Sequence, residues 1–220
     1  MKNISNKNKK IIVVVLCLLI FFLILRDVFI YEVTSYDNWA YSVFVINLRS
    51  DFMTNIMKIF TFFGNALAFF LIVGFTFLLS KNKDNGVMLT TNLALIFILN
   101  SIVKTIVQRP RPSGYNLIVE SNYSFPSGHS MVSTAFYGYF IYLIYKNVKN
   151  KKIKYLLISL LFLLIMLICI SRIYLGVHYL SDTLAGFFLS IAYLMIFITF
   201  IPRFYKEKKR NAKKKKENKN

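Results

Sequence analysis

Apolar residues fall in long blocks along this chain, and two of them, Ile11–Leu25 and Ile153–Ile170, are too long for the core of one soluble domain. A run of about 18 apolar residues reads as a bilayer span, because the hydrocarbon layer is about 30 Å thick and a helix rises 1.5 Å per residue. The pattern predicts six spans, at roughly 11–30, 56–80, 87–107, 128–146, 153–172 and 182–202. Polar segments separate the later ones: Lys81–Gly86, Gln108–Ser127, Lys146–Lys154 and Ile173–Ser181. The expected fold is all-α, a six-transmembrane-helix bundle forming one domain over residues 1–202, with no internal repeat. Residues 203–220 are lysine-rich and read as a disordered tail. Tyr31–Asn55 carries Tyr36, Trp39, Tyr41, Phe44 and Phe52 at loosely helical spacing, which suits an interfacial helix or a plain connecting loop.

Composition agrees: 56% of the 220 residues are hydrophobic and the mean hydropathy is positive. The formal charge of +19 invites a nucleic-acid partner, but its distribution argues for a membrane one. Ten of the 28 Lys and Arg residues lie in Arg203–Asn220 and four precede the first span, as in solvated juxtamembrane segments that meet anionic headgroups. No base-reading module is visible, so no nucleic acid is expected as a partner. Cys17 and Cys169 both sit inside apolar blocks, which disfavours a disulfide framework. The N-terminal lysines and the apolar block after them look like a signal sequence, but Arg26-Asp27-Val28 offers no small-residue cleavage site, so an uncleaved anchor is expected.

With the N-terminus in the cytoplasm, 21 of the 28 basic residues fall on the inner side, so the positive-inside rule places both termini there. The same assignment gathers Lys104, Arg109, Arg111, Ser127-Gly128-His129, Arg172 and His178 at the outer side.

The two histidines, His129 and His178, each lie where a span meets an outer loop. Asp182 follows His178 by four residues, a spacing that on a helix puts both on one face. A carboxylate there can accept from one imidazole nitrogen and leave the other as a nucleophile; a helix-capping Asp beside an incidental His fits the same spacing. Lys104, Arg111 and Arg172 are three cations at one depth, which suits an anionic ligand or headgroup anchoring. Arg109-Pro110-Arg111-Pro112 cannot continue a regular helix, so the chain must turn there. Pro126-Ser127-Gly128-His129 precedes an apolar helix, where backbone amides, Ser127 and the flexibility of Gly128 suit a phosphate or an ordinary helix start.

Lys104, six residues, Arg111-Pro112; Pro126-Ser127-Gly128-His129; Ser171-Arg172, five residues, His178, three residues, Asp182: in this order and spacing they resemble the tripartite signature of the type 2 phosphatidic acid phosphatase superfamily, with no departure at any signature position across residues 104–182. The resemblance implies that His178 attacks phosphorus to form a phosphohistidine, that Asp182 orients it, and that His129 protonates the leaving oxygen and then activates water. It implies that Lys104, Arg111, Arg172, Ser127 and the Gly128 amide hold the phosphate, without cofactor or metal. The scatter of Glu32, Asp37, Asp51 and Glu120 and the presence of only two histidines also speak against a two-metal site. The expected activity is hydrolysis of a phosphate or pyrophosphate from a membrane lipid at the extracytoplasmic face. Undecaprenyl pyrophosphate, phosphatidylglycerophosphate, phosphatidate and diacylglycerol pyrophosphate all fit, and no protein partner is implied. A phosphotransferase with an alcohol acceptor and a non-catalytic lipid-phosphate binder are the rival readings. The sequence leaves one tension: His178 must be neutral to attack, yet Asp182 raises its proton affinity while the cations lower it.

Overall fold

The computed structural model describes residues 2–79 and 83–217; residue 1, residues 80–82, where the expected second span meets the inner loop, and residues 218–220, at the end of the tail, lie outside the described residues. The described residues form helices α1 (Lys2–Tyr31), α2 (Ser35–Tyr41) with a π-helical continuation (Ser42–Asn47), α3 (Asp51–Phe62), α4 (Ala66–Leu79), α5 (Lys83–Val107), α6 (Gly128–Asn147), α7 (Lys151–Tyr174) and α8 (Leu180–Glu217). No strand occurs among them.

By length and composition, four helices are apolar enough to cross a membrane: Asn8–Tyr31, Lys83–Val107, Lys151–Tyr174 and Leu180–Pro202. Their outward residues, such as Phe22, Phe97, Leu156 and Phe200, are large, apolar and exposed, as a lipid-facing surface requires. The expected second span is not one helix. It breaks at Phe63–Asn65 into α3 and α4, bent by 49°, and counting that pair as one span gives at most five. At the break, Gly64 and Asn65 donate to the carbonyls of Thr61 and Phe62, three residues back, so the helix tightens and turns.

Helix α6, expected as the fourth span, is not among the four. It packs against α5, α7 and α8, and every residue from Ser130 to Tyr137 is buried. A helix wrapped by others need not offer an apolar face to lipid, so it can carry Ser130, Ser133, Thr134 and several tyrosines. Its neighbours hold it with polar contacts: Asn92 donates to the Ala135 carbonyl at 2.9 Å and Ser190 to that of Met131 at 2.8 Å. The six-helix count is therefore not met by these criteria.

The backbone of α8 runs through Pro202 as far as Glu217, into the basic tail. Lys, Glu, Arg and Ala are good helix formers, and a helix already nucleated in the apolar segment extends with little further cost.

Candidate active site

Each part of the site is placed by a helix end. Ser127 caps α6: its main-chain carbonyl accepts from Met131 and its hydroxyl interacts with Ser130, at 3.0 Å from the Ser130 hydroxyl. This puts Gly128 and His129 in the first turn, where main-chain amides lack helical acceptors. Helix α7 ends just after Arg172 in a Schellman arrangement, with Gly176 N–H bonded to the Ile173 carbonyl and Val177 N–H to that of Arg172. Gly176 has φ +76°, and a Cβ there would lie 2.7 Å from the Tyr115 carbonyl oxygen, so glycine is required. The turn delivers His178 beside Arg172. His178 itself lies in the connection, not on the helix that the four-residue spacing suggested. Asp182 sits in the first turn of α8 and reaches back to the Tyr179 N–H at 2.9 Å, one half of a capping box.

The three segments meet. A cavity of about 240 Å³ is lined by Lys104 from α5, Arg111, Glu120 and Asn122 from the α5–α6 loop, Gly128 and His129 from α6, and His178; Gly64, Phe69, Phe97 and Asn100 supply much of the rest. Of the residues expected to hold phosphate, Lys104, Arg111 and Gly128 line the cavity. Arg172 is buried close by, 1% exposed, with Nη1 on Thr61 Oγ1 at 2.6 Å and Nη2 on Glu120. Ser127 is fully buried and does not line the cavity; its hydroxyl oxygen accepts from the Ser130 amide at 3.4 Å and the Ser130 hydroxyl at 3.0 Å. Lys104 donates to the carbonyls of Tyr123 and Ser124.

The hydrogen bonds fix the state of His178. Nη1 of Arg111 lies 3.0 Å from Nε2, and a guanidinium can only donate, so Nε2 carries the lone pair. Nδ1 then holds the proton and donates to Asp182 Oδ2 at 3.2 Å. Asp182 is fully buried and also accepts from Ser124 Oγ at 2.5 Å and from Arg109 at 2.6 Å. Burial above all lowers the proton affinity of His178, Arg172 and Arg111 lower it further, and together they outweigh Asp182 to bring the pKa down to about 3. The tension in the sequence is thus decided in favour of a neutral imidazole.

The second histidine has a partner that no spacing announced. His129 Nε2 lies 2.5 Å from Asn65 Oδ1, at the break between α3 and α4. Glu120 was legible only as one of several scattered acids; here it pairs with Arg172 and stands 3.8 Å from Arg111. Burial works against its charge, but Arg172 and Arg111 prevail and hold its carboxyl below the usual range.

Residues 85–206, more than half the chain, match the PAP2 superfamily. The chain is 29% identical over 187 residues to phosphatidylglycerophosphatase B of Bacillus subtilis (strain 168), covering 82% of this chain and 90% of that protein. It is 33% identical over 112 residues to sphingosine-1-phosphate phosphatase 1 of Rattus norvegicus, covering 49% of this chain and 26% of that one. Among solved structures, a transmembrane PAP2 type phosphatidylglycerolphosphate phosphatase from Bacillus subtilis superposes with a TM-score of 0.76 at 27% identity, over 86% of this chain and 96% of that one. The Aquifex aeolicus LpxE structure shares the fold, with a TM-score of 0.59 at 24% identity over 73% of this chain and 93% of that one. The motif residues, the cavity they line and this match agree: the chain belongs to the PAP2 superfamily.

Proposed function

We propose that this membrane protein hydrolyses phosphate or terminal pyrophosphate from a membrane lipid through a phosphohistidine on His178. The observation that carries the reading is the lone pair of His178 Nε2, held toward Arg111 on the wall of a cationic cavity that also contains His129. In the first step Nε2 forms the N–P bond as the P–O bond to the lipid breaks, and His129 gives its proton to the departing oxygen. In the second step His129 takes a proton from water, the water oxygen attacks phosphorus, and the N–P bond breaks to release phosphate and neutral His178. Asp182 holds the Nδ1 proton and stabilises the charge that develops on the ring. Lys104, Arg111, Arg172 and the Gly128 amide neutralise the equatorial oxygens, which is most of what phosphoryl transfer asks of a protein. Ser127 contributes by capping α6 and so aiming its first amides.

The relatives named as lipid phosphatases support a phosphate carried on an apolar anchor, and phosphatidylglycerophosphate leads the panel because the Bacillus subtilis relative matches most of both chains. Undecaprenyl pyrophosphate and phosphatidate follow. Six spans, with α3–α4 and α6 completing the bundle, both termini cytoplasmic and the site extracytoplasmic, agree with the distribution of lysines.

Purified protein in detergent, given these three lipids with EDTA present, is expected to release phosphate from at least one, and rapid quenching is expected to find phosphate on the His178 peptide. No release from any lipid, or a phosphate-free His178 during steady turnover, defeats the reading.

A further inference from the structure

Behind the His178–Asp182 pair, on the side away from the cavity, lies a second carboxylate from a different part of the chain. Arg109 donates through Nη1 to Asp182 Oδ1 at 2.6 Å and through Nη2 to Asp37 Oδ2 at 2.9 Å. Asp37 also accepts from the Ser181 amide and hydroxyl, both at 2.8 Å, so α2 is tied to the first turn of α8. The guanidinium lies 4.0 Å from the ring centre of Tyr179. Arg109, Asp37 and Asp182 are all 3% exposed or less, and none of them lines the cavity. Asp37 stands outside residues 85–206, which carry the family match.

The electrostatics explain why one arginine needs two acids. A buried cation bound to Asp182 alone would cancel much of the anionic influence that Asp182 exerts on the imidazole. With Asp37 on the other half of the guanidinium, the cluster of one cation and two carboxylates keeps a net negative charge opposite Nδ1. Positive charge that develops on the ring during attack is then matched by a charge already in place, with no reorganisation.

We propose that Asp37 and Arg109 are positioning residues for His178: Arg109 fixes the Asp182 carboxylate on Nδ1, and Asp37 balances Arg109 so that Asp182 still acts as an anion. This rests on His178 being the nucleophile. The other charged or titratable groups around His178 are Arg172 from α7, Arg111 and Glu120 from the α5–α6 loop, Lys104 from α5 and His129 from α6, and the variants below leave all of them in place.

The chain has only two histidines, so protein labelled with ¹⁵N-histidine gives two imidazoles to follow by NMR, assigned with His129→Gln. Arg109→Gln is expected to raise the His178 titration by about 1–3 pH units, because two acids lose their cation. Adding Asp37→Asn to that variant is expected to bring it part of the way back. Arg109→Lys should keep the wild-type titration yet lower kcat, since an ammonium cannot span both carboxylates in the same fork. Asp37→Asn alone, which is nearly isosteric, should lower kcat about ten- to a hundredfold with KM unchanged. A His178 titration unmoved in folded Arg109→Gln, or a double variant that titrates with the single one, overturns the proposal. If Arg109→Gln does not fold, Asp37→Asn with wild-type kcat does so instead. A wild-type protein that hydrolyses no lipid phosphate defeats the functional reading alone, because the titrations are read without substrate.

Discussion

Glu120 is ion-paired to Arg172 on the wall of the cavity that holds both histidines, and its second oxygen reaches to 3.8 Å from Arg111. The two guanidinium groups proposed to bind phosphate are thus already facing a carboxylate. The partners differ in freedom: the Arg172 side chain is 1% exposed and the Glu120 side chain 29%. Glu120 can swing into water and keep its charge solvated, whereas Arg172 cannot leave.

On the proposed reading, an incoming phosphate competes with this resident anion. Glu120→Gln is expected to lower KM for the lipid and the inhibition constant of inorganic phosphate about three- to tenfold, with a smaller effect on kcat. A tenfold change corresponds to about 1.4 kcal/mol, within the range of a charge-assisted contact partly open to solvent. Inhibition by phosphate at the wild-type concentration would mean that the carboxylate does not compete.

Asp182 accepts from four separate groups, and only one of them is the imidazole. Asp182→Asn keeps the size but offers an amide where His178 Nδ1–H needs an acceptor, so the ring turns or changes tautomer. The expected loss in kcat is about 10³–10⁴, as for other carboxylates that orient a histidine, and His178→Ala should leave no turnover. An Asp182→Asn enzyme working at the wild-type rate would remove the orienting role.

The depressed proton affinity of His178 has a consequence for stability. An unfolded chain binds a proton at a histidine near pH 6.5 and the folded one only near pH 3. Between those values the unfolded state holds more protons, so the contribution is intact above about pH 6.5 and is lost progressively as the pH falls toward 3. Melting temperatures in detergent should fall between pH 7.5 and 4.5, and His178→Gln should fall less. Parallel curves for the two proteins would exclude His178 as a source of acid sensitivity.

How much of this was legible depends on whether the signal is local. Lys104, Arg111, His129, Arg172, His178 and Asp182 stand out because charged and imidazole groups at the ends of apolar blocks are costly to keep there without a use. Their convergence followed from counting lysines and alternating the spans. Ser127 was found for its motif, but its hydroxyl serves the cap of α6. Asp37 and Arg109 are 72 residues apart, and Arg172 and Glu120 are 52 apart, so no periodicity could pair them. The break at Gly64-Asn65 is a polar dip of two residues inside a long apolar block, too short to interrupt the pattern of a span. Helix α6 reads as a span from its apolar residues, whereas its polar content reflects burial among other helices, which a linear profile does not register.

Gly64 and Asn65 together place the second histidine. A Cβ on Gly64 would stand 2.8 Å from His129 Cδ2 and 2.9 Å from Ile168 Cγ2, and one of these is the ring proposed to carry the leaving-group proton. Gly64→Ala must therefore push the imidazole, α7 or the α3–α4 bend. Overpacking of this kind costs about 1–3 kcal/mol, and the displacement should lower kcat more than it lowers the melting temperature would suggest. Asn65→Ala makes the complementary test, because it removes the acceptor of His129 Nε2 without adding bulk. It is expected to lower kcat about tenfold, a fraction of what a general acid contributes, while KM and folding stay near wild type. If Asn65→Ala turned over normally and Gly64→Ala lost only stability, the bend between α3 and α4 would be a packing device and His129 would be positioned by α6 alone.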